Sequence, residues 1–433
     1  MKAIQNLYFF LQQADNPIMG KNNSKKSKKS KNLKKREPVK LSKSTIITII
    51  SALALIAVVT TALVIRSIMK KRLAERTVNI AFYGLDEKTQ EMLKKQISQE
   101  EDIILNFDVL SDFDTALVKS KYDMLFAWRG EATDSLSKVA EEIPARILET
   151  MSNSLSRTAR ETRCVPIILD HCELTFSTEV IQKLGGEIPM SFNALEKYLK
   201  DAKAYVFSPI FCNGAEDRIM IDYVGALMLA NGGLSAYNKL IEELRKADSL
   251  KAVLDIDCDG KGCTLRSVLD ILKRWPDEGF THPGWYNGRG NDLAYFAEDK
   301  QLGCFFTLLS EHRKINYNII KDYTSSIFPP NPSAENYGLI APAVSCMLLS
   351  GNSNCKRYLA GFFTQETQEE LSNLSNLAPV NSRAQAYDRQ ADDVRFYAAS
   401  CAGGAIPDLY LAVFQRDSKK LEKLCTEIRN YVR

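Results

Sequence analysis

One run of 21 residues without a charged side chain, from Thr45 to Ile65, restricts this chain more than any other feature of its sequence. At about 1.5 Å of rise per helical residue, such a run matches the roughly 30 Å hydrocarbon core of a bilayer. The alternative is a buried helix in a globular core, but such helices normally carry a polar face. We therefore predict a transmembrane helix at residues 45–65.

The charges on either side of this run indicate its orientation. The segment from Lys21 to Lys43 carries 11 basic side chains, whereas the segment from Arg66 to Arg76 carries five. Because basic flanks stay in the cytoplasm, we expect residues 1–44 to form a disordered cytoplasmic arm that can touch anionic lipid headgroups. Residues 66–76 would be a juxtamembrane linker, and everything after them would be extracytoplasmic, in the periplasm.

The remaining charge argues against a nucleic-acid partner. Residues 1–72 have a net charge of +14, which leaves −10 for the rest of a chain whose total is +4. Affinity for a phosphate backbone needs clustered cations, and no basic run with interleaved aromatic residues follows Arg76.

The sequence contains ten cysteines and three histidines, and their spacing determines which metal sites and disulfides we expect. No paired CxxC motif is present, so we expect no structural zinc site, and no cofactor is indicated. In an exported domain the cysteines can form disulfides, with Cys258 and Cys263, and Cys346 and Cys355, as the closest candidate pairs.

After Arg76 the sequence alternates between strand-like and helix-like segments. Strands are predicted at Thr77 to Gly84, Ile103 to Leu110 and Tyr122 to Trp128, with an amphipathic helix after the first. This order is βαβαβ, which predicts an α/β fold with a parallel sheet. Further strands are predicted at residues 165–170, 204–210, 302–309 and within 337–349.

The stretch LDIDCDGKGCTLR, residues 254–266, has three interpretations. As a calcium loop it would place Asp255, Asp257 and Asp259 at positions 1, 3 and 5 and Gly260 at the turn, but Arg266 stands where a bidentate glutamate is needed. The stretch also resembles the first motif of haloacid-dehalogenase-like phosphatases, with Asp257 as nucleophile, yet Lys261 replaces that motif's threonine or valine. We favour a polar turn before a helix, so no metal-binding or catalytic residue is expected here.

Several passages resemble the extracellular solute-binding proteins of ABC transporters, in the class that includes maltose-binding protein. VPIILDHCELTFSTEVIQKLGGEIPMSFNALEKYL is similar to the family's segment that crosses between lobes, and GNSNCKRYLAGFFTQETQEELSNLSNLAPVNSRA to its passage rich in Phe, Gln and Pro. The resemblance covers residues 77–433. It implies two α/β lobes, a hinge and a ligand cleft, divided as residues 77–172 in lobe 1, 173–325 in lobe 2, 326–380 in lobe 1 and 381–433 mainly in lobe 2.

Candidate ligand-binding residues come from two arguments. Tyr83 and Asp86 follow the first strand, and Trp128 and Arg129 end the third, so they should lie at the sheet edge where open α/β sheets bind ligands. Tryptophan stacks on the apolar face of a sugar ring, and arginine donates paired hydrogen bonds. The resemblance and the aromatic character of two loops add the remaining candidates, Glu173, Phe211, Asn213, Trp285, Glu311, His312 and Tyr410.

The resemblance implies a membrane-anchored protein that binds a solute of the carbohydrate class, delivers it to ABC permease subunits and performs no covalent chemistry. The alternative is a structural or sensory ectodomain with the same fold and no transported ligand. A helical anchor in place of a lipid-modified cysteine favours that alternative.

Overall fold

The computed structural model describes residues 42–97, 102–386 and 388–433, without the side chains of residues 45–50. The basic arm predicted at residues 1–44 therefore lies almost wholly outside the described residues. The described chain divides into two units, with the boundary between Ser67 and Ile68.

The predicted apolar helix is present and is longer than expected. Helix α1 spans Lys43–Arg76, so the residues predicted as a juxtamembrane linker, 66–76, are helical. By length and composition its part from Ser51 to Arg76 could cross a membrane, and its side chains are exposed. This helix is therefore a candidate membrane anchor.

The first half of the unit Ile68–Arg433 alternates strands and helices. After α1 its elements are β1 (Thr77–Tyr83), α2 (Glu87–Gln96), β2 (Ile104–Leu110), α3 (Thr115–Lys121), β3 (Met124–Trp128), α4 (Glu131–Leu136), α5 (Ala145–Leu148), α6 (Asn153–Thr162), β4 (Val165–Leu169), β5 (Cys172–Ser177), α7 (Thr178–Lys183), α8 (Phe192–Ala202) and β6 (Ser208–Cys212).

The second half is richer in helices. Its elements are α9 (Asp217–Lys246), α10 (Leu250–Val253), α11 (Leu265–Asp277), a 3₁₀ turn (Trp285–Asn287), α12 (Gly290–Glu298), β7 (Leu302–Leu308), α13 (Leu309–His312), α14 (Tyr317–Ile320), β8 (Tyr323–Ser326), β9 (Leu339–Ile340), β10 (Ala343–Leu348), α15 (Ser353–Gly361), α16 (Gln365–Ser375), β11 (Ala378–Pro379), α17 (Arg389–Ser400), β12 (Ala405–Ile406), α18 (Leu409–Val413) and α19 (Ser418–Val432).

The first sheet has six strands in the order β11-β4-β10-β3-β1-β2. Strand β1 pairs in parallel with both β2 and β3, as the βαβαβ pattern predicts, whereas β10 runs antiparallel to β3 and β4. The carboxyl ends of β1 and β3 therefore meet at one edge of this sheet.

The second sheet has four strands in the order β6-β7-β5-β8. Strand β5 pairs antiparallel with β7 and β8, and β6 pairs in parallel with β7. Sequence reasoning did not predict β5 as a strand, and it placed β6 too early, because residues 203–205 form a turn. The chain passes from the first sheet to the second at residues 170–171, between β4 and β5.

The chain returns to the first sheet after β8, and its last helices pack against elements that belong to both sheets. Helix α17 packs on β11 and α6, whereas α18 and α19 pack on α9. The segment 381–433, expected mainly in lobe 2, is thus shared between the two sheets. The exact lobe boundaries stay a proposal.

Helix α9 is the central element beneath the second sheet. It is also long and apolar enough to span a bilayer, but most of its side chains are buried in the core. Gly233 kinks it with a φ of 71°, and a Cβ there would lie 2.3 Å from the carbonyl oxygen of Glu335. Glycine is required here both for its backbone conformation and for the close approach of the returning chain.

Candidate functional site

A pocket lies where the carboxyl ends of β1 and β3 face α13 and the start of α9. Its volume is about 600 Å³, within the range typical of small-molecule sites. We call it the cleft pocket. It is lined by Gly84, Asp86, Lys88, Thr89, Met92, Trp128, Ile168, Arg218, Ser310, Glu311, Arg313, Lys314, Val344 and residues 374–377.

The rim on the side of the first sheet is built by the turn after β1. Gly84 adopts a φ of 64°, which lets the chain leave the strand and enter α2. Asp86 caps that helix, accepting hydrogen bonds from the Thr89 backbone N–H at 2.9 Å and from its hydroxyl at 2.7 Å. Partial burial alone would raise the pKa of Asp86, but these hydrogen bonds outweigh it and lower the pKa.

Trp128 forms the aromatic wall of the cleft pocket. It is the last residue of β3, and its carbonyl oxygen accepts a hydrogen bond from Gln415 Nε2 at 3.2 Å. The other two tryptophans, Trp275 and Trp285, are 0% and 2% exposed, whereas Trp128 is only partly buried. A ligand in the pocket can therefore reach the indole of Trp128.

On the opposite side, Ser310 is held in place by a buried carboxylate. Asp170 accepts hydrogen bonds from the Ser310 hydroxyl at 2.6 Å and from its backbone N–H at 3.0 Å. Burial raises the pKa of Asp170 to about 6, against the opposing effect of these hydrogen bonds. Because Asp170 lies between β4 and β5, it ties the cleft residue Ser310 to the point where the chain changes sheets.

Two of the basic side chains that line the pocket contact acidic partners at its rim. Lys314 contacts Glu311 at 2.6 Å, and Arg313 contacts Asp388 at 2.5 Å. These pairs leave the pocket polar but with little net charge.

The floor of the pocket is an arginine held by two aspartates. Arg218, at the start of α9, contacts Asp408 at 3.0 Å and Asp222 at 3.7 Å, and its guanidinium lies over the Tyr410 ring. Both carboxyl side chains are fully buried, while a third of the Arg218 side chain is exposed. Arg218 can therefore offer its remaining N–H donors to a ligand.

Asp222 and Asp408 have different roles in this cluster. Asp408 caps α18 by accepting from the Leu411 N–H at 2.7 Å, and Asp222 accepts from the Tyr410 N–H at 2.9 Å. Burial, followed by the charge of Asp408, raises the pKa of Asp222 well above its usual range, which favours the protonated form of Asp222. The Cys172 thiol lies within 4.8 Å of both carboxyl groups. The guanidinium of Arg218 supplies the positive charge that balances the buried carboxylate of Asp408.

Of the residues predicted from sequence, Asp86, Trp128 and Glu311 line the cleft pocket together. Tyr410 reaches it only through its stack beneath Arg218. Arg129 faces away from it, donating to the Ala405 carbonyl at 2.9 Å beside a different pocket.

The other predicted residues are buried in the core and do not line the cleft pocket. Tyr83 packs on Phe113 with ring centroids 4.8 Å apart. Phe211, Asn213 and Trp285 are 3%, 5% and 2% exposed, with Phe211 in β6, Asn213 directly after it and Trp285 in the 3₁₀ turn. Sequence placed these residues at strand ends or in loops, but it could not show that neighbouring segments cover them.

Glu173 and His312 form a fully buried pair behind the pocket. Glu173 Oε1 contacts His312 Nδ1 and accepts from the Thr175 hydroxyl at 2.8 Å. Burial would raise the pKa of Glu173, but His312 and the hydrogen bonds lower it to about 2. This pair fixes the end of α13, next to Glu311, without facing the pocket itself.

The aspartate-rich stretch 254–266 is a compact turn. Asp257 accepts from the Gly260 N–H at 2.8 Å, Asp259 accepts from the Lys261 N–H at 2.8 Å, and Asp255 forms a bidentate pair with Arg266. The carboxylates thus bond to their own turn and its flanking helix, in agreement with the polar-turn interpretation.

Sequence reasoning missed Asp170, Arg218, Ser310 and Asp408. The signal that could have found three of them is a charged residue inside or beside an apolar segment, because unpaired charges are rarely buried. Asp170 follows VPIIL, Arg218 lies at the start of an apolar helix, and Asp408 precedes LYLAVF. Ser310 has no comparable signal.

No protein-family model matches this sequence, and no curated protein sequence matches it. Solved structures do match. The bacterial solute receptor AcbH, described as preferring β-D-galactopyranose, has 12% identity and a TM-score of 0.63, with 82% of this chain and 98% of that chain covered. A putative binding protein, MsmE from Bacillus subtilis in an open conformation, has 10% identity and a TM-score of 0.62, covering 82% and 93%. The solute-binding protein RafE in complex with raffinose has 14% identity and a TM-score of 0.53, covering 82% and 97%.

These structural similarities establish the fold of the chain. The unit after the apolar helix has the two-lobed fold of solute-binding proteins, as the sequence resemblance predicted.

Proposed function

We propose that this protein is a membrane-anchored, extracytoplasmic receptor that binds a carbohydrate in the cleft pocket. The observation that carries the proposal is the position of Trp128, the accessible tryptophan, at the carboxyl end of a parallel strand opposite Ser310 and Arg218. An aromatic face opposite polar groups, here the Ser310 hydroxyl oxygen as an acceptor and the N–H groups of Arg218 as donors, is what a sugar ring with its hydroxyls requires.

The balance of charge supports an uncharged ligand. Most cations around the pocket are paired with carboxylates, and Asp86 and Lys88 lie on the same turn with opposite charges. A neutral, polar sugar gains hydrogen bonds in such a pocket without leaving a buried charge unpaired. The fold shared with AcbH and RafE agrees with this class of ligand.

Helix α1 would hold the receptor at the membrane with residues 1–44 in the cytoplasm, and ABC permease subunits would take up the released sugar. Asp170, Ser310, Arg218, Trp128, Asp86 and Glu311 would contact or position the ligand, and no covalent step is required. The comparison structures are binding proteins, which favours a binding role over catalysis.

The experiment is a thermal-shift screen of the full chain in detergent against mono- and oligosaccharides, including D-galactose and raffinose, with amino acids and calcium as other classes. A ligand at a hundredfold excess over its Kd adds about 2.7 kcal/mol of stability. For a unit of this size that corresponds to about 3 °C in Tm. A sugar should produce this shift.

Two variants locate the binding. Trp128→Ala should abolish the sugar-dependent shift, whereas Tyr295→Ala, which removes an aromatic ring that is 62% exposed and outside the pocket, should leave it intact. A folded protein that responds to no sugar would contradict the proposal and favour a structural or sensory ectodomain.

A further inference from the structure

The turn between α10 and α11 brings two cysteines side by side. The backbone N–H of Cys258 donates to the carbonyl oxygen of Cys263 at 2.8 Å, so the two residues face each other across the turn. A backbone hydrogen bond holds two residues close enough for their Cα atoms to fall in the range that disulfides span, about 4.4–6.8 Å. All ten cysteines lie in described parts of the chain, and all are free thiols in this structure.

The two thiols also lie on the same side of the turn. Cys258 belongs to the core cluster beneath the second sheet, and Cys263 packs against that cluster, with its sulfur 3.7 Å from Met228 Sδ. Cys263 is partly exposed while Cys258 is buried, so an oxidant can reach one sulfur and the other can follow. Cys346 and Cys355, the other pair suggested by the sequence, are both fully buried and less accessible.

We propose that Cys258 and Cys263 form a disulfide that closes the aspartate turn when the protein meets an oxidising compartment. A small-molecule or protein disulfide is the oxidant. Cys263 loses its proton and attacks one sulfur of that disulfide, which releases the first thiol. Cys258 then loses its proton and attacks the Cys263 sulfur, which releases the second thiol. One S–S bond forms, one breaks, and the oxidant receives two electrons and two protons.

The bridge would brace the kink of α9. A Cβ on Gly232 would lie 2.8 Å from the Cys263 sulfur, and Lys261, at the tip of the turn, contacts Glu335 at 2.9 Å. Glu335 in turn packs on Gly233 at the kink. Fixing the turn therefore fixes the place where α9 meets the chain returning to the first sheet.

The reaction should depend steeply on pH. Burial raises the pKa of Cys258 to about 11 and that of Cys263 to about 12. The reactive thiolate is therefore scarce at neutral pH, and its fraction rises about tenfold per pH unit. Oxidation by glutathione disulfide should be roughly a hundredfold faster at pH 9 than at pH 7.

Trypsin gives a direct assay, because it cleaves after Lys261, between the two cysteines. The folded full chain is treated with glutathione disulfide, alkylated and digested. A bridge joins peptide 252–261 to peptide 262–266, and the intact chain loses two mass units. The oxidised protein should also melt about 3 °C higher than the reduced one.

Two variants complete the test. Cys263→Ser should remove the joined peptide and the rise in Tm, whereas Cys401→Ser, which removes the other partly exposed thiol, should retain both. Full alkylation of Cys258 and Cys263 after oxidation of the folded protein, at pH 7 and at pH 9, would overturn the proposal. The assay uses no sugar, so its outcome is separate from that of the binding screen.

Discussion

Removing the charge of Arg218 tests which of its two buried partners, Asp222 or Asp408, depends on that charge. Arg218→Met keeps most of the side-chain volume but leaves the fully buried Asp408 without its cation. Breaking a buried ion pair costs about 3 to 5 kcal/mol, and we expect about 3 kcal/mol because a third of the Arg218 side chain is exposed. For this unit that is a fall of about 4 °C in Tm, measured by circular dichroism.

The control is Asp222→Asn. Since the raised pKa of Asp222 favours its protonated form, the amide is a close substitute for it and keeps the acceptor for the Tyr410 N–H, so the cost should stay below about 1 kcal/mol. Adding Asp408→Asn to Arg218→Met should restore part of the lost stability, because it removes the stranded charge while retaining a good helix cap. The reasoning is refuted if Asp222→Asn costs as much as Arg218→Met, or if the double variant is less stable than Arg218→Met alone.

Three further predictions concern the packing and the pH response. Gly130→Ala should cost about 1 to 3 kcal/mol, since its Cβ would lie 2.2 Å from a backbone oxygen, whereas Gly351→Ala, with open space around it, should change the free energy of unfolding by less than about 0.5 kcal/mol in urea titrations. Ser310→Ala should cost about 2 kcal/mol at pH 8, where Asp170 is ionised, and clearly less at pH 5, below its pKa of about 6; an equal cost at both values would contradict this. Burial lowers the pKa of His171 to about 4. The free energy of unfolding is therefore about 3 kcal/mol higher above pH 6.5, where His171 is neutral in both states, and this contribution is lost as the pH falls through 4. His171→Leu should remove this part of the dependence of the free energy of unfolding on pH.

The alternation of strands and helices was readable from the sequence because each local pattern matches its final structure. The strands at Thr77–Tyr83, Ile104–Leu110 and Met124–Trp128 are apolar runs between polar helices, and they pair in parallel as the βαβ rule requires. Strand Cys172–Ser177 was missed since its Glu and Thr interrupt the apolar pattern. In the fold these side chains are buried, with Glu173 paired to His312.

The site was only partly readable, because sequence indicates the end of a strand but not what covers it. Asp86 and Trp128 lie at strand ends that stay open and line the pocket. Tyr83 and Trp285 looked equivalent, yet the chain that covers them comes from distant positions and removes them from solvent. Arg218 was not predicted because its acidic partner Asp408 lies 190 residues away along the chain, so the sequence does not show that the two side chains meet.

The measurement that tests the central claim most directly is a tryptophan fluorescence titration of the full chain with the sugar selected by the screen. Trp275 and Trp285 are buried, so Trp128 is the indole that a ligand in the cleft pocket contacts. We predict a saturable change in emission and protection from acrylamide quenching, both lost in Trp128→Phe. An emission change that persists in Trp128→Phe, or sugar binding that leaves the emission of the wild-type chain unchanged, would contradict a carbohydrate site in the cleft pocket.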